Sequence, residues 1–307
     1  MNDPVIRLLR DLVSDGVRSG DLARDGRVLR WAEAGSGRPA VVFDAALGEP
    51  GTLAWASVMA LVAPNARAVA YDRAGIGASD PMSPLTLDGQ LEDLAAVLEA
   101  CGDGPCVAVG HSWGGLLAQL VAMRRPELVA GLVLVDPAEE RYLSALPSDD
   151  LREGVRLGEA VMEQYAKGEL AATIRSVFGD FATRLSEDSA LQERILDTYV
   201  SCYAKQSQAR MVLDENLLVI GSLPRIQRIR QTTPLPDIPV VIFSATEDRP
   251  GGQRETWTDM HVELAASMPR AEHIVLADTS HAVNQERPAE VADAINRIVE
   301  SGRGEGD

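Results

Sequence analysis

A short apolar run, Cys106-Val-Ala-Val109, stops at Gly110-His-Ser-Trp-Gly114 and gives way to a second apolar stretch of a different period, with Leu116, Leu117, Leu120 and Val121 at helical spacing. No other stretch restricts the chain as tightly. An unbroken apolar run suits a strand buried on both faces, and the repeat that follows predicts a helix. The turn between them must be sharp. The pattern G-x-S-x-G fits a strand-to-helix turn in which the serine backbone is strained and its hydroxyl is lifted into the open. Glycine at 110 and 114 removes side chains that would strike the neighbouring strand or the first turn of the helix.

The same alternation recurs on either side. Val28 to Glu33 alternates, Gly35 to Pro39 turns, and Ala40-Val-Val-Phe43 is apolar, which predicts a hairpin leading into a central strand. Further strands are expected at Ala68–Tyr71, Leu132–Val135, Val240–Phe243 and Ile274–Leu276, with helices through Val58 and Leu61, through Leu87 to Leu98, and through Val291, Ile295 and Ile298. Apolar strands separated by helices imply an α/β fold, a doubly wound, mainly parallel sheet covered on both faces. From 138 to 235 no strand pattern occurs. Helical stretches fill that region, and prolines 224, 234, 236 and 239 close it. It reads as a helical cap inserted after the sixth strand, at the carboxyl edge where open α/β sheets bind ligands. The expected organisation is an N-terminal helical extension over 1–25, with its amphipathic helix within 3–19, a core over 26–137 and 236–300, the cap over 138–235, and a disordered tail over 301–307.

A chain of 307 residues with 46% hydrophobic content can bury a large core. Aspartate and glutamate outnumber lysine and arginine 46 to 29, for a net charge of −17. That field repels phosphate backbones and anionic lipid, which argues against nucleic-acid and membrane partners. The amino terminus lacks an apolar stretch of signal-peptide length, and no window of about 18 apolar residues occurs. Cys101, Cys106 and Cys202 show no metal-ligand spacing and are odd in number. Free thiols in a reducing cytoplasm are therefore expected. Oligomeric state is open.

A serine hydroxyl becomes a useful nucleophile only with a base in hydrogen-bond reach and a third group orienting that base. Of four histidines, His111 adjoins Ser112 on the turn, His261 sits within a helix and His273 begins a strand. All three read as packing or surface residues. His281 follows the last strand in a loop that can reach back to the sheet's carboxyl edge, which makes it the expected base. Two aspartates end apolar strands and lie between serine and histidine in the chain. Asp248 is the preferred acid, because it stands one crossover helix ahead of His281; Asp136 is the alternative, its plainer use being a turn cap before Pro137. Glu139, Glu140 and Glu247 read as solvated charges. Oxyanion donors are expected from the backbone of Trp113 and from the small-residue loop after Phe43, at Leu47.

With strand, turn, cap, acid and histidine in this order, the chain resembles the α/β-hydrolase superfamily over about residues 26 to 300. Tyr71-Asp-Arg-Ala-Gly-Ile-Gly-Ala-Ser-Asp80, Gly110-His-Ser-Trp-Gly-Gly115, Leu132-Val-Leu-Val-Asp-Pro137 and Thr279-Ser-His281 carry the likeness. The chain departs from the pattern at Ala45-Ala46, where relatives commonly have His-Gly. The resemblance implies a serine hydrolase acting on an ester or related small acyl substrate, with no cofactor. Relatives that open epoxides or displace halide use aspartate in place of the serine. A lactone-forming or cyclising catalyst and a ligand-binding, receptor-like member are the alternatives that the same residues allow. Cap residues Met162, Tyr165, Phe178, Phe181, Tyr199 and Tyr203 could line a pocket, though such a stripe more often serves as core.

Overall fold

The computed structural model describes residues 3–14, 16–102, 104–248 and 252–304. Its centre is one eight-stranded sheet: β1 (Arg18–Arg24), β2 (Arg27–Ala34), β3 (Val41–Asp44), β4 (Ala68–Asp72), β5 (Cys106–His111), β6 (Val129–Val135), β7 (Val240–Ala245) and β8 (Ala271–Leu276). The spatial order is β1-β2-β4-β3-β5-β6-β7-β8. The β1/β2 and β2/β4 pairs are antiparallel and every other pair is parallel. Helices α1 (Pro4–Leu12), α2 (Gly51–Ala54), α3 (Ala56–Val62), α4 (Leu87–Cys101) and α5 (Trp113–Arg124) precede the cap. The cap holds α6 (Glu140–Ala145), α7 (Ser148–Leu151), α8 (Glu153–Lys167), α9 (Leu170–Leu185), α10 (Ser189–Tyr203) and α11 (Gln206–Thr232), and α12 (Gln253–Ala266), α13 (Val283–Glu286) and α14 (Pro288–Gly304) follow it.

Side chains alternate across a pleated strand, so one apolar strand feeds two cores. Val41 and Phe43 of β3, with Val107, Val109, Val133 and Val135, pack under Val58, Met59, Ile295 and Val299 of α3 and α14. Val42, Ala108, Leu132 and Leu134 point the other way, against Leu94, Leu98, Leu117 and Leu120 of α4 and α5. Both faces are thereby covered, as the unbroken apolar runs require.

The amino-terminal segment differs from expectation. Helix α1 ends at Leu12, and residues 18–24 form an edge strand. The expected hairpin between 28–33 and 40–43 does not form. β2 instead turns back on β1 through Asp25-Gly26, both at positive φ, and runs antiparallel to β4 on its other side. An Asp-Gly pair between strands is a strong hairpin signal. What hid β1 is its polar sequence, Arg-Ser-Gly-Asp-Leu-Ala-Arg, which suits an exposed edge. In α1, Leu8 joins the cap's apolar cluster and Leu9 joins the core beneath α3 and α14, so this helix bridges cap and core.

The cap sits between β6 and β7, as expected from the pattern. Two boundaries move. Pro224 does not end a helix but lies inside α11, whose buried face continues past it through Ile226 and Ile229. Burial of that stripe outweighs the roughly 3 kcal/mol that an interior proline costs. The last helix runs to Gly304, while 305–307 of the expected tail lie outside the described residues. Phe178, Phe181, Tyr199 and Tyr203 stack on one another within the cap, so this stripe is core. Cys101, Cys106 and Cys202 are buried with free thiols, and burial pushes them up to about 12, 11 and 11, too high to give a nucleophile at neutral pH. Among the described residues no helix is long and apolar enough to cross a membrane.

Glu139 and Glu140, at the entrance to the cap, are not solvated charges: they are 1% and 2% exposed. Arg230, near the end of α11, approaches Glu140 at 2.7 Å, and Arg141 stands 3.5 Å from Glu139. Burial pushes Glu139 up to about 7 from an ordinary 4.5, against the pull of Arg230, with Glu140 adding to the rise. A carboxyl raised in the folded state favours folding while protonated and loses that contribution as pH climbs from its unfolded value through its folded one. Glu139→Gln cannot ionise. Its stability relative to the parent should therefore rise between pH 5 and pH 8, its unfolding free energy increasing by up to about 3 kcal/mol against that of the parent. Urea titrations of both proteins at the two pH values measure that difference.

Candidate active site

Register along the sheet brings the sequence-predicted residues to one edge. Asp44 of β3 pairs with Gly110 of β5, so the loop after β3 begins beside the turn after β5. This is the point where strand order reverses, with β4 on one side of β3 and β5 on the other. His111 pairs with Val135, and Val135 pairs with Phe243. Asp136 therefore stands next to Ser112 across the sheet edge. The Ser112 amide donates to Val135 O at 3.0 Å, and the Asp136 amide donates to Phe243 O at 2.9 Å.

Ser112 has φ 51° and ψ −114°, a conformation that an L-residue adopts only when its surroundings enforce it. The glycines beside it supply the enforcement. A Cβ on Gly110 would fall 2.4 Å from the Gly114 carbonyl carbon, and one on Gly114 would fall 2.5 Å from Asp44 O. The Gly114 amide also donates to Ala45 O at 3.2 Å, which ties the start of α5 to the loop after β3.

His281 stands over this turn. Its ring lies 4.7 Å, centroid to centroid, from that of His111, whose Nε2 is 2.7 Å from His281 O. The Trp257 ring lies nearly perpendicular to it, with centroids 6.5 Å apart. His281 Nδ1 is 2.6 Å from Asp136 Oδ2. An ionised carboxylate can only accept, so Nδ1 carries the proton and Nε2 is the ring's basic nitrogen.

Asp136 is fully buried. Its Oδ1 accepts from the Ala245 amide at 3.2 Å, and Arg254 Nη1 donates to Oδ1 at 3.0 Å and to Oδ2 at 2.8 Å. Burial alone would raise its carboxyl. The hydrogen bond and charge of His281, then the charge and hydrogen bond of Arg254, overcome this and hold Asp136 well below the usual carboxylate range. Arg254 is anchored in turn, with Nε and Nη2 donating to Glu247 O at 3.0 and 2.8 Å.

The contacts differ from the preferred pairing. The carboxylate on the His281 ring is that of Asp136, whereas Asp248 accepts from the His281 backbone N–H. Asp248 is exposed and fixes the loop rather than the ring. The same loop is held from below, where the Thr246 and Glu247 amides donate to Thr279 O at 3.0 and 2.9 Å. Of the other histidines, His261 is a core residue: Ser244 Oγ lies 2.7 Å from its Nδ1 and Pro137 O lies 2.9 Å from its Nε2. Burial pushes it down to about 4. His273 lies 2.8 Å from the same Ser244 hydroxyl.

Ser112 opens onto a cleft of about 410 Å³. Leu47, Trp113, Tyr142, Leu146, Val219 and Trp257 supply its apolar lining, and Asp150, Glu153, Asn216, Asp248 and Gln253 its polar lining. Both expected donor residues, Leu47 and Trp113, thus border the same space as the serine. In the loop after β3, Arg73 Nη2 donates to Ala46 O at 2.6 Å. Across a trans peptide the carbonyl and the next N–H point in opposite directions, so the Leu47 N–H is turned away from Arg73. Among the described residues no group of three or more His, Cys, Asp or Glu is placed to hold a metal ion.

Residues 30–294 match the model of the alpha/beta hydrolase family. The chain belongs to that family. Lipase LipV of Mycobacterium tuberculosis is 48% identical to this alpha/beta hydrolase over 75 residues, which is 24% of this chain and 29% of LipV. The chain therefore spans less than a third of that relative. The mouse sn-1-specific diacylglycerol lipase ABHD11 is 24% identical over 273 residues, 85% of this chain and 81% of ABHD11. Among solved structures, the Cif epoxide hydrolase from Acinetobacter nosocomialis superposes with a TM-score of 0.72 over 97% of each chain, at 16% identity. That likeness is one of fold.

Sequence reasoning did not single out Arg254, and a lone arginine early in a surface-exposed stretch gives no signal for it. The structure gives it a strong one. Breaking a buried ion pair by removing one partner leaves an uncompensated charge, a loss on the order of 3 kcal/mol or more. Arg254→Met should lower the unfolding free energy by about that amount. In a cycle with Asp136→Asn, the double variant should lose less than the two single losses added together, by more than about 1 kcal/mol. Equilibrium denaturation of the four proteins measures this coupling.

Proposed function

We propose that this protein is a serine hydrolase that cleaves an ester, or a related acyl compound of small to medium size, through an acyl-enzyme on Ser112. The observation that carries this reading is the 2.6 Å contact between Asp136 and His281 Nδ1, beside the strained serine. His281 Nε2 takes the proton as Ser112 Oγ attacks the acyl carbon. Negative charge gathers on the carbonyl oxygen, where the backbone N–H groups of Leu47 and Trp113 are the donors that stabilise it. The imidazolium, stabilised by Asp136, then protonates the departing alkoxide as the bond from carbon to leaving oxygen breaks. Water, deprotonated by the same nitrogen, releases the acid and restores the serine.

A hydroxyl nucleophile supports acyl transfer over epoxide opening or halide displacement. The cleft joins an apolar part, around Leu47, Tyr142, Leu146 and Trp257, to a polar part carrying Asp150, Glu153, Asn216 and Gln253, which favours a substrate with both a hydrocarbon and a polar portion. The reaction needs no cofactor. Three buried thiols accord with a reducing, cytoplasmic setting.

Ser112→Ala should abolish labelling by a fluorophosphonate probe, and equal labelling of variant and parent would refute the reading. Asp136→Asn should lower kcat/KM toward p-nitrophenyl esters by about 10³–10⁴-fold, the scale of losing the acid of such a triad. Asp248→Asn should lower it by roughly tenfold or less, because its contact is to the His281 backbone.

A further inference from the structure

A buried ion pair bonded at every charged nitrogen and oxygen lies outside the serine, histidine and aspartate set. Arg73 is 2% exposed and Glu215, from the middle of α11, is fully buried. Arg73 Nε and Nη2 donate to Glu215 Oε1 and Oε2 at 2.8 and 2.9 Å. Arg73 Nη1 donates to Asp44 Oδ1 at 2.7 Å and to Ala45 O at 2.6 Å, and Nη2 reaches Ala46 O. Glu215 Oε2 accepts from the Gly48 amide at 2.7 Å. Two turns earlier on α11, Gln208 Nε2 donates to Gly48 O at 2.5 Å. Two side chains of one cap helix thus hold both polar groups of the Gly48 backbone. Gly48 itself is at φ +69°, and a Cβ there would fall 2.8 Å from Val212 of the same helix.

The carbonyls on one side of Leu47 and the amide on its other side are therefore fixed by Arg73 and Glu215. Leu47 N–H therefore has its direction set by those neighbours. The network also reaches the second donor residue. Gln90 Nε2 donates to Glu215 Oε1 at 2.8 Å, and Gln90 Oε1 accepts from the Trp113 indole at 2.9 Å. A carboxylate whose sole task was to fasten the cap would have no need to grip the backbone of the loop that carries an oxyanion donor.

We infer that Glu215 is a positioning residue for the oxyanion site: the cap, through Glu215 and Arg73, sets the geometry of the Leu47 N–H, so that the site is complete only with α11 seated. This inference rests on the serine hydrolase reading. A displacement of about 1 Å in a reacting geometry can cost on the order of 100-fold in rate. The effect belongs to the transition state, where charge has built up on the oxygen, and ground-state binding of a neutral ester should be nearly untouched.

The test uses the full chain, a p-nitrophenyl ester, and a trifluoromethyl ketone that adds to Ser112 as an oxyanion. Glu215→Gln keeps the shape but presents an NH₂ where two acceptors are needed. It should lower kcat by roughly 10–100-fold and weaken the ketone in parallel, with KM within about threefold of the parent. Gln208→Met, which leaves the ion pair intact, should show the same split with a smaller loss, about 3–10-fold in kcat. Circular dichroism checks that each variant is folded, and if Glu215→Gln is not, Gln208→Met decides alone. Unchanged kcat and ketone affinity in a folded variant would overturn the inference, as would a rise in KM with kcat intact. Fluorophosphonate labelling separates the two levels: a parent not labelled on Ser112 removes the hydrolase reading itself, whereas a labelled parent with a kinetically unaltered Glu215→Gln removes only the role of Glu215.

Discussion

Backbone meets backbone without intervening side chains at the end of β5, and the rest of the site depends on that approach. Gly110, Gly114 and Gly115 let the turn close so tightly that the first turn of α5 touches the carbonyl of Asp44. Ser112 then has no alternative to its positive φ. Strain at one residue persists only where the surroundings over-determine it. Here a sheet hydrogen bond from Ser112 N to Val135 O and the bond from Ala138 N to Ser112 O hold it from two sides.

Around this kink the fold handles two buried carboxylates in similar ways. Asp136 and Glu215 are each fully buried, and each is met by a guanidinium, Arg254 or Arg73, that also binds backbone carbonyls. A planar guanidinium with five donors can satisfy a carboxylate and a loop together, which an ammonium cannot do with the same geometry. Such pairs add little net stability, since desolvation offsets their attraction. What they supply is fixed geometry: one orients an imidazole and the other a loop.

Much of this was legible in the sequence because it follows from periodicity and spacing. The parallel strands, the cap's place in the chain, the serine turn and the histidine loop all rest on local patterns. Other features depend on which strand lies beside which. Asp136 and Asp248 both end apolar strands, and nothing local says which carboxylate meets the imidazole and which the backbone. Sheet order decides it, since β6 adjoins β5 whereas β7 is one strand further away. Glu139 and Glu140 look solvated because charge normally is, and only the fold discloses the arginines that face them. Glu215 is separated from Arg73 by 142 positions, so no motif could join the two. The polar strand β1 and the passage of α11 through Pro224 are cases where tertiary packing overrides local preference.

The cap leaves the core by a route that passes through the chemistry. After Asp136, the carbonyl of Pro137 is bonded to His261 and the amide of Ala138 to Ser112 O, so three successive residues at the exit are already committed. A foreign cap spliced onto this scaffold could begin no earlier than Glu139 without loosening the kink it is meant to cover. At the other end, the incoming helix would have to present its own acceptor to Arg73. Exchange of caps among relatives, a simple way to alter what a pocket admits, is for this chain a problem in preserving two junctions and one carboxylate.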